Sequence, residues 1–157
     1  MKILLVVVGK VSTKYIEDGI RVYTDRLTHY LPFEIKTLAD LKSTKGLTQL
    51  QQKQKEGEMI LSAVKPGDFV ILLDERGKEM TSRGFAEMID RRMAMVSRNI
   101  IFVVGGPYGF SEDVYSRADS SLSLSKMTFS HEMVRLFFVE QLYRAMTILR
   151  GEPYHHD

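Results

Sequence analysis

The chain contains no cysteine, which excludes disulfides, thiolate metal sites and cysteine nucleophiles. It also lacks any apolar stretch near the roughly 20 residues needed to cross a bilayer. Its opening, MKILLVVVGK, sets a lysine before an apolar run as a signal peptide does, but the run is only Ile3–Val8 and no small-residue cleavage site follows. That run reads as a buried first strand. A soluble, cytoplasmic protein without membrane or metal partners is expected. Repeats, low-complexity tracts and linkers are absent. So is a marked surplus of either charge: 22 Lys and Arg against 20 Asp and Glu leave +2, compatible with an RNA partner without arguing for one. Lys42, Lys45, Lys53 and Lys55 share one polar stretch, and Arg91, Arg92 and Arg98 another. A solvated helix face explains each group as well as a nucleic acid does.

What is present is ordinary globular composition, 44% hydrophobic and 27% charged over 157 residues. That suffices for one domain, spanning 1–157, with a real core. Lys2–Val8, Phe69–Asp74 (FVILLD) and Ile100–Gly105 (IIFVVG) are nearly continuous apolar runs, suited to strands buried on both faces of a parallel sheet. Phe33–Leu38 and the alternating Ser121–Ser125 are weaker candidates. Phe85, Met88, Ile89, Arg92, Met93 and Val96 recur at helical spacing. Thr48–Val64 is a more polar helix anchored by Leu50, Met59, Ile60 and Leu61, with Gly57 counting against it. The fold class is α/β, a mainly parallel sheet flanked by helices. From Met133 to Leu149 the last helix is apolar in every direction, so it must be buried on more than one side. A second copy of the chain is the simplest cover, and a homodimer is expected.

Single motifs stay ambiguous. Val104–Asp113 (VGGPYGFSED) is glycine-rich and lies between a strand and a helix, where α/β folds place ligand loops. It is neither a dinucleotide fingerprint nor a P-loop, and a tight turn capped by Ser111 accounts for it as well as a nucleoside does. Ser130-His131 suggests a hydrolase, but adjacent residues rarely meet as nucleophile and base, and no G-x-S-x-G elbow exists. His155-His156 makes a weak metal site. Asp74-Glu75, followed by Arg76-Gly77, suits a loop with local charge pairing at least as well as paired acids. Most of the methionines lie on the two apolar helices, as core packing requires.

In combination the segments become specific. Leu122–Leu136 (LSLSKMTFSHEMVRL) runs into Glu140–Ala145 (EQLYRA), and the chain closes with Arg150–His156 (RGEPYHH). With LLDERGK at Leu72–Lys78 and VVGGPYG at Val103–Gly109, the whole chain resembles the ribosomal RNA large-subunit methyltransferase H family, small SPOUT-class enzymes that methylate N3 of a pseudouridine. The resemblance implies a C-terminal trefoil knot, which no periodicity could announce, and a homodimer. It implies S-adenosylmethionine as methyl donor, bound by Leu73, Gly105 and the loop Leu124, Ser125, Lys126, Met127, Thr128 and Phe129. It places Tyr154 and His155, on a tail that approaches the active site, in substrate positioning and proton handling. It makes the partner 23S ribosomal RNA, within the ribosome. His131 reads as a satisfied structural residue ahead of a catalytic one. Arg135 and Arg144 read as RNA or dimer contacts, or as stabilisers of the last helix. Ser130 stands where the family commonly has proline. The alternative function is a non-catalytic RNA-binding assembly factor of the same fold.

Overall fold

The computed structural model describes residues 1–157. The elements in chain order are β1 (Ile3–Val8), α1 (Lys14–Leu27), β2 (Phe33–Leu38), α2 (Gln49–Ser62), β3 (Phe69–Glu79), α3 (Ser82–Met95), β4 (Ile100–Val104), α4 (Glu112–Arg117), β5 (Ser120–Ser123) and α5 (His131–Leu149). The strands form one sheet in the order β2-β1-β4-β3-β5, every pair parallel. Alternate residues of β4 explain its unbroken apolar run. Ile100, Phe102 and Val104 face a core shared with α1, α3 and α5, while Ile101 and Val103 face a second core under α2 and α4. β2 lies at the edge with only its Phe33 and Ile35 packed on the larger core, which is why its signal is weak.

Hydroxyl side chains start four of the five helices. Thr48, Thr81, Ser111 and Ser130 each accept a backbone N–H from the first turn, and Gln51 completes a capping box with Thr48. Gly57 sits where α2 meets α4, and a Cβ there would strike the Ser111 hydroxyl. The glycine therefore permits a close helix crossing rather than weakening the helix. Leu50, expected as an anchor, is 58% exposed. Met59 and Ile60 carry the packing instead.

β3 runs five residues beyond the expected Asp74. Leu122 of β5 pairs with Leu73 and again with Lys78, so residues 74–77 leave the ladder and return to it. Such excursions are bulge-like features that re-aim side chains. Gly77 is where β3 rejoins: a Cβ there would lie 2.8 Å from the backbone of Ser121 and Leu122.

α5 is covered mainly by its own chain. It packs on α1, α3 and the sheet, burying Phe138, Val139, Leu142, Ala145 and Met146, while Leu136 abuts Gly19 of α1. The all-round apolar character thus has an intramolecular cause on most sides, and Phe137 remains 38% exposed. Arg135 is buried at 3% exposure, its guanidinium donating to the carbonyls of Gly9 (2.7 Å) and Val8 (2.8 Å). It is not free to contact RNA. Arg144 pairs with Glu140 one turn away, as a stabiliser of the helix would.

Candidate functional site

The carboxyl end of β4 and the point at Leu73–Asp74 where β3 leaves the ladder open onto two adjoining cavities. The larger, about 410 Å³, is walled by Leu73, Asp74, Gly105, Gly106, Thr128, Phe129 and His131, among others. The smaller, about 60 Å³, is walled by Leu73, Leu124, Ser125, Met127 and Phe129. Leu73, Gly105, Leu124, Ser125, Met127, Thr128 and Phe129 therefore come together from three separate segments. Lys126 lines neither cavity. It points outward to Glu79, 3.5 Å away. Behind Leu124 and Phe129 a third pocket of about 270 Å³ extends to Met80, Phe85, Phe137 and Gln141, with the Phe129 and Phe137 rings 4.9 Å apart.

Local bonds hold these walls. The glycine segment closes as a turn with Gly109 N–H donating to Gly106 O at 3.1 Å, and Gly109 takes the positive φ of 82° that the turn requires. A Cβ on Gly105 would meet Phe110 at 3.1 Å and Gly109 O at 3.3 Å. Its bareness serves the closing of the turn on itself, more than close approach to a ligand. The Leu124–Phe129 loop makes no backbone–backbone hydrogen bond. It is shaped by the Ser123 hydroxyl donating to Ser125 O and Met127 N–H donating to the Ser125 hydroxyl.

The start of α5 borders the same cavity. Ser130 has φ −58°, within the range proline imposes, and its hydroxyl accepts Met133 N–H at 3.2 Å. Serine thus keeps the proline backbone shape and adds a cap. His131 is exposed and lines the larger cavity, contrary to the satisfied structural role expected of it. Glu132 accepts the N–H groups of Ser12 (2.9 Å) and Thr13 (3.1 Å). Those bonds hold its carboxyl below the usual glutamate range and clip the β1–α1 loop to the site.

Two residues near the cavity, Tyr115 and Glu56, carried no usable sequence signal, and Asp74 has the local charge pairing with Arg76 expected of it. Asp74 accepts the Tyr115 hydroxyl and Arg76 N–H, so it is engaged locally, and burial followed by the Asp74 bond pushes the Tyr115 phenol up. No group of three or more His, Asp or Glu side chains is placed to hold a metal ion. Glu56 of α2 fills the space that a side chain at Gly106 would take. It is 5% exposed and its Oε1 has no partner. Burial, then the nearby Asp40 charge, pushes its carboxyl above its ordinary value of 4.5. A raised carboxyl favours the protonated folded state, so its contribution is fully present below that value and is lost as pH rises through the folded one. Glu56→Gln should therefore be more stable than the parent by about 1 kcal/mol at pH 8, and the advantage should vanish near pH 4. Urea unfolding at the two pH values checks this, and parallel curves would refute it.

Tyr154 and His155 lie away from both cavities in their own chain. Tyr154 donates to Glu140 Oε1 at 2.9 Å, sits 3.4 Å from the Tyr23 hydroxyl and lies under Arg144. Burial first, then Tyr23 and Glu140, pushes its phenol up. His155 Nδ1 is 3.2 Å from Arg144 Nη1 and its Nε2 is 2.9 Å from Asp157, which Arg83 holds in turn. Arginine can only donate, so Nδ1 accepts and Nε2 carries the proton given to Asp157.

Residues 1–155 match the family described as predicted SPOUT methyltransferase. The ribosomal RNA large subunit methyltransferase H of Parabacteroides distasonis is 56% identical over 157 residues, 100% of each chain. That of Christiangramia forsetii is 61% identical over 156 residues, 99% of each. A solved structure of a probable methylase family protein from Haemophilus influenzae aligns with a TM-score of 0.57 at 14% identity, over 95% of this chain. The chain spans 66% of that protein's length, and the likeness is one of fold. With full-length relatives and a family match over nearly every residue, the chain belongs to the SPOUT methyltransferase family.

Proposed function

We propose that this chain transfers a methyl group from S-adenosylmethionine to N3 of a pseudouridine in large-subunit ribosomal RNA, acting as a homodimer on the assembled ribosome. The carrying observation is the convergence of Leu73, Gly105, Leu124, Ser125, Met127, Thr128 and Phe129 on two adjoining cavities at the carboxyl end of β4 and the Leu73–Asp74 point of β3. The larger falls within the roughly 300–1,000 Å³ of small-molecule sites. The residues present fit the donor. Leu73, Leu124 and Met127 offer apolar faces for a flat base, and the backbone groups of the Leu124–Phe129 loop other than Ser125 O and Met127 N–H are unbonded, available to the base's edges.

When bound, S-adenosylmethionine supplies an electrophilic methyl group on its sulfonium. The chain aligns the target nitrogen with that methyl and helps the nitrogen lose its proton. Alignment alone is worth on the order of 7–11 kcal/mol of effective concentration. Tyr154, with its phenol pushed up, acts as a hydrogen-bond donor to the base once its proton is released from Glu140. His155, once released from Arg144, has a free Nδ1 to receive the proton. Both are tethered away from the cavities of their own chain, so a second copy supplies the tail. The exposed Phe137 and Phe129 beside the 270 Å³ pocket are the apolar surface for that copy. The C-terminal segment is threaded as the family's knot in this reading.

Calorimetric titration with S-adenosylmethionine should give one site per chain, and 50S or 70S particles from a strain lacking the modification should accept labelled methyl groups. Absence of cofactor affinity would sink the enzyme reading and leave a non-catalytic assembly factor.

A further inference from the structure

Charge is spread unevenly over this chain. Residues 36–55 hold five lysines against the single acid Asp40, a net +4, whereas the whole chain is +2, so everything outside that segment sums to −2. We propose that Lys10 of the β1–α1 loop, Lys42 and Lys45 of the β2–α2 loop, and Lys53 and Lys55 of α2 form the surface on which the RNA backbone docks beside the methyl-transfer cavity. The proposal rests on the reading of the chain as an RNA methyltransferase and names the residues that hold its substrate.

The cations are available. None of the five makes an ion pair, whereas Lys2, Lys14 and Lys126 are each within 3.5 Å of a carboxylate. All are exposed except Lys53, which is half-buried. They are also in the right place. Both loops leave the carboxyl edge of the sheet, the edge onto which the cavities open. Three contacts tie this region to the cavity. Asp40 fills the side-chain space of Gly9, 2.5 Å from where its Cβ would be. Ser12 and Thr13 are bonded to Glu132, next to the cavity-lining His131. Glu56, one residue after Lys55, lies on Gly106 of the cavity turn.

The β3 wall of the cavity carries Asp74 and Glu75 beside Arg76, a net −1. Within a Debye length of about 8–10 Å, a polyanion is drawn to the lysines of the β1–β2 side rather than to that wall. Residues 36–55 contain no aromatic side chain, so this surface grips phosphates and sets register without reading bases. Lysine ammonium groups on flexible stems suit that role. Of the other cations without an ion pair, Arg26, Arg92 and Arg150 lie over aromatic rings and Arg135 is bonded to buried carbonyls. Lys36 lies on the edge strand β2, Lys78 on β3 and Arg91 on α3, and Lys65 in the turn before β3.

The test is the variant K42E/K45E/K53E in the full chain. Its KM for ribosomal particles should rise on the order of tenfold or more, with kcat and calorimetric S-adenosylmethionine affinity little changed. The dependence of log K on log salt, measured with a large-subunit rRNA transcript, should become shallower by about 1 per lysine removed. Arginine at the same positions should restore binding, and K65E and R91E should match the parent. A parental KM and salt slope in the triple variant would overturn the proposal, as would equal losses in the two controls. A loss seen only with particles, the transcript binding as before, would assign the surface to an acidic ribosomal protein and also overturn it. A parent chain that bound transcript but neither bound the cofactor nor methylated would refute the enzyme reading alone.

Discussion

Arg135→Met is expected to lower stability by about 2–6 kcal/mol, because two buried carbonyls, those of Val8 and Gly9, each lose a charge-assisted partner worth about 1–3 kcal/mol to leave unmade. That is a large share of the roughly 5–15 kcal/mol holding an ordinary domain together. Replacement of a buried charge by an apolar group is often harmless when both partners go. Here the carbonyls stay, and methionine offers them nothing. Desolvation already draws the guanidinium's acidity toward the neutral form, and a lysine ammonium in the same place is a smaller donor set, so Arg135→Lys should fall between the two. Urea unfolding at one fixed protein concentration gives the comparison. A loss for Arg135→Met under about 0.5 kcal/mol, the range of ordinary surface changes, would show that the end of β1 does not depend on this side chain.

Removal of Tyr154–Asp157 should cut methyl transfer by about 10²–10⁴-fold, the usual worth of positioned proton handling, and leave S-adenosylmethionine affinity as it was. The proposed cofactor walls lie in β3, β4 and the Leu124–Phe129 loop, and no tail residue lines either cavity. Point variants divide the effect. Tyr154→Phe removes a donor and should depress the rate evenly across pH. His155→Ala removes the proposed acceptor and should slow methyl transfer by about 10²-fold or more. Mixed dimers add the question of which copy acts. A tail-less subunit paired with one lacking a usable cofactor site should recover activity only if the tail works across the interface. Undiminished methylation after truncation would take the tail out of the mechanism.

Much of the sheet is legible in the sequence because β1, β3 and β4 are buried on both faces and leave unbroken apolar runs. The loops proposed to hold the cofactor are distinctive only in combination, through the resemblance they carry together. Other features are set by tertiary contact and leave no local trace. Arg135 and Arg144 differ by nine positions on one helix, yet one is walled in against β1 and the other pairs with Glu140. Glu56 and Glu58 look alike in a polar helix, and only the docking of α2 on the glycine turn buries the first. The continuation of β3 past Asp74 is hidden because polar residues and Gly77 read as a turn, and it is the second pairing with Leu122 that makes them strand. The all-round apolar α5 was informative about burial but silent about what does the burying.

The double pairing of Leu122 has a consequence for how this site can diversify. Residues 74–77 are anchored at both ends by the same ladder, and they carry the cavity wall of Asp74, Glu75 and Arg76. Their number can change by insertion or deletion while the strand on either side keeps its partners. Gly77 is constrained, because it must lie flat against the backbone of Ser121 and Leu122, and so is Asp74, which is bonded to Tyr115. The excursion is thus an adjustable insert in a fixed frame, through which related chains can reshape what the cavity admits without rebuilding the sheet.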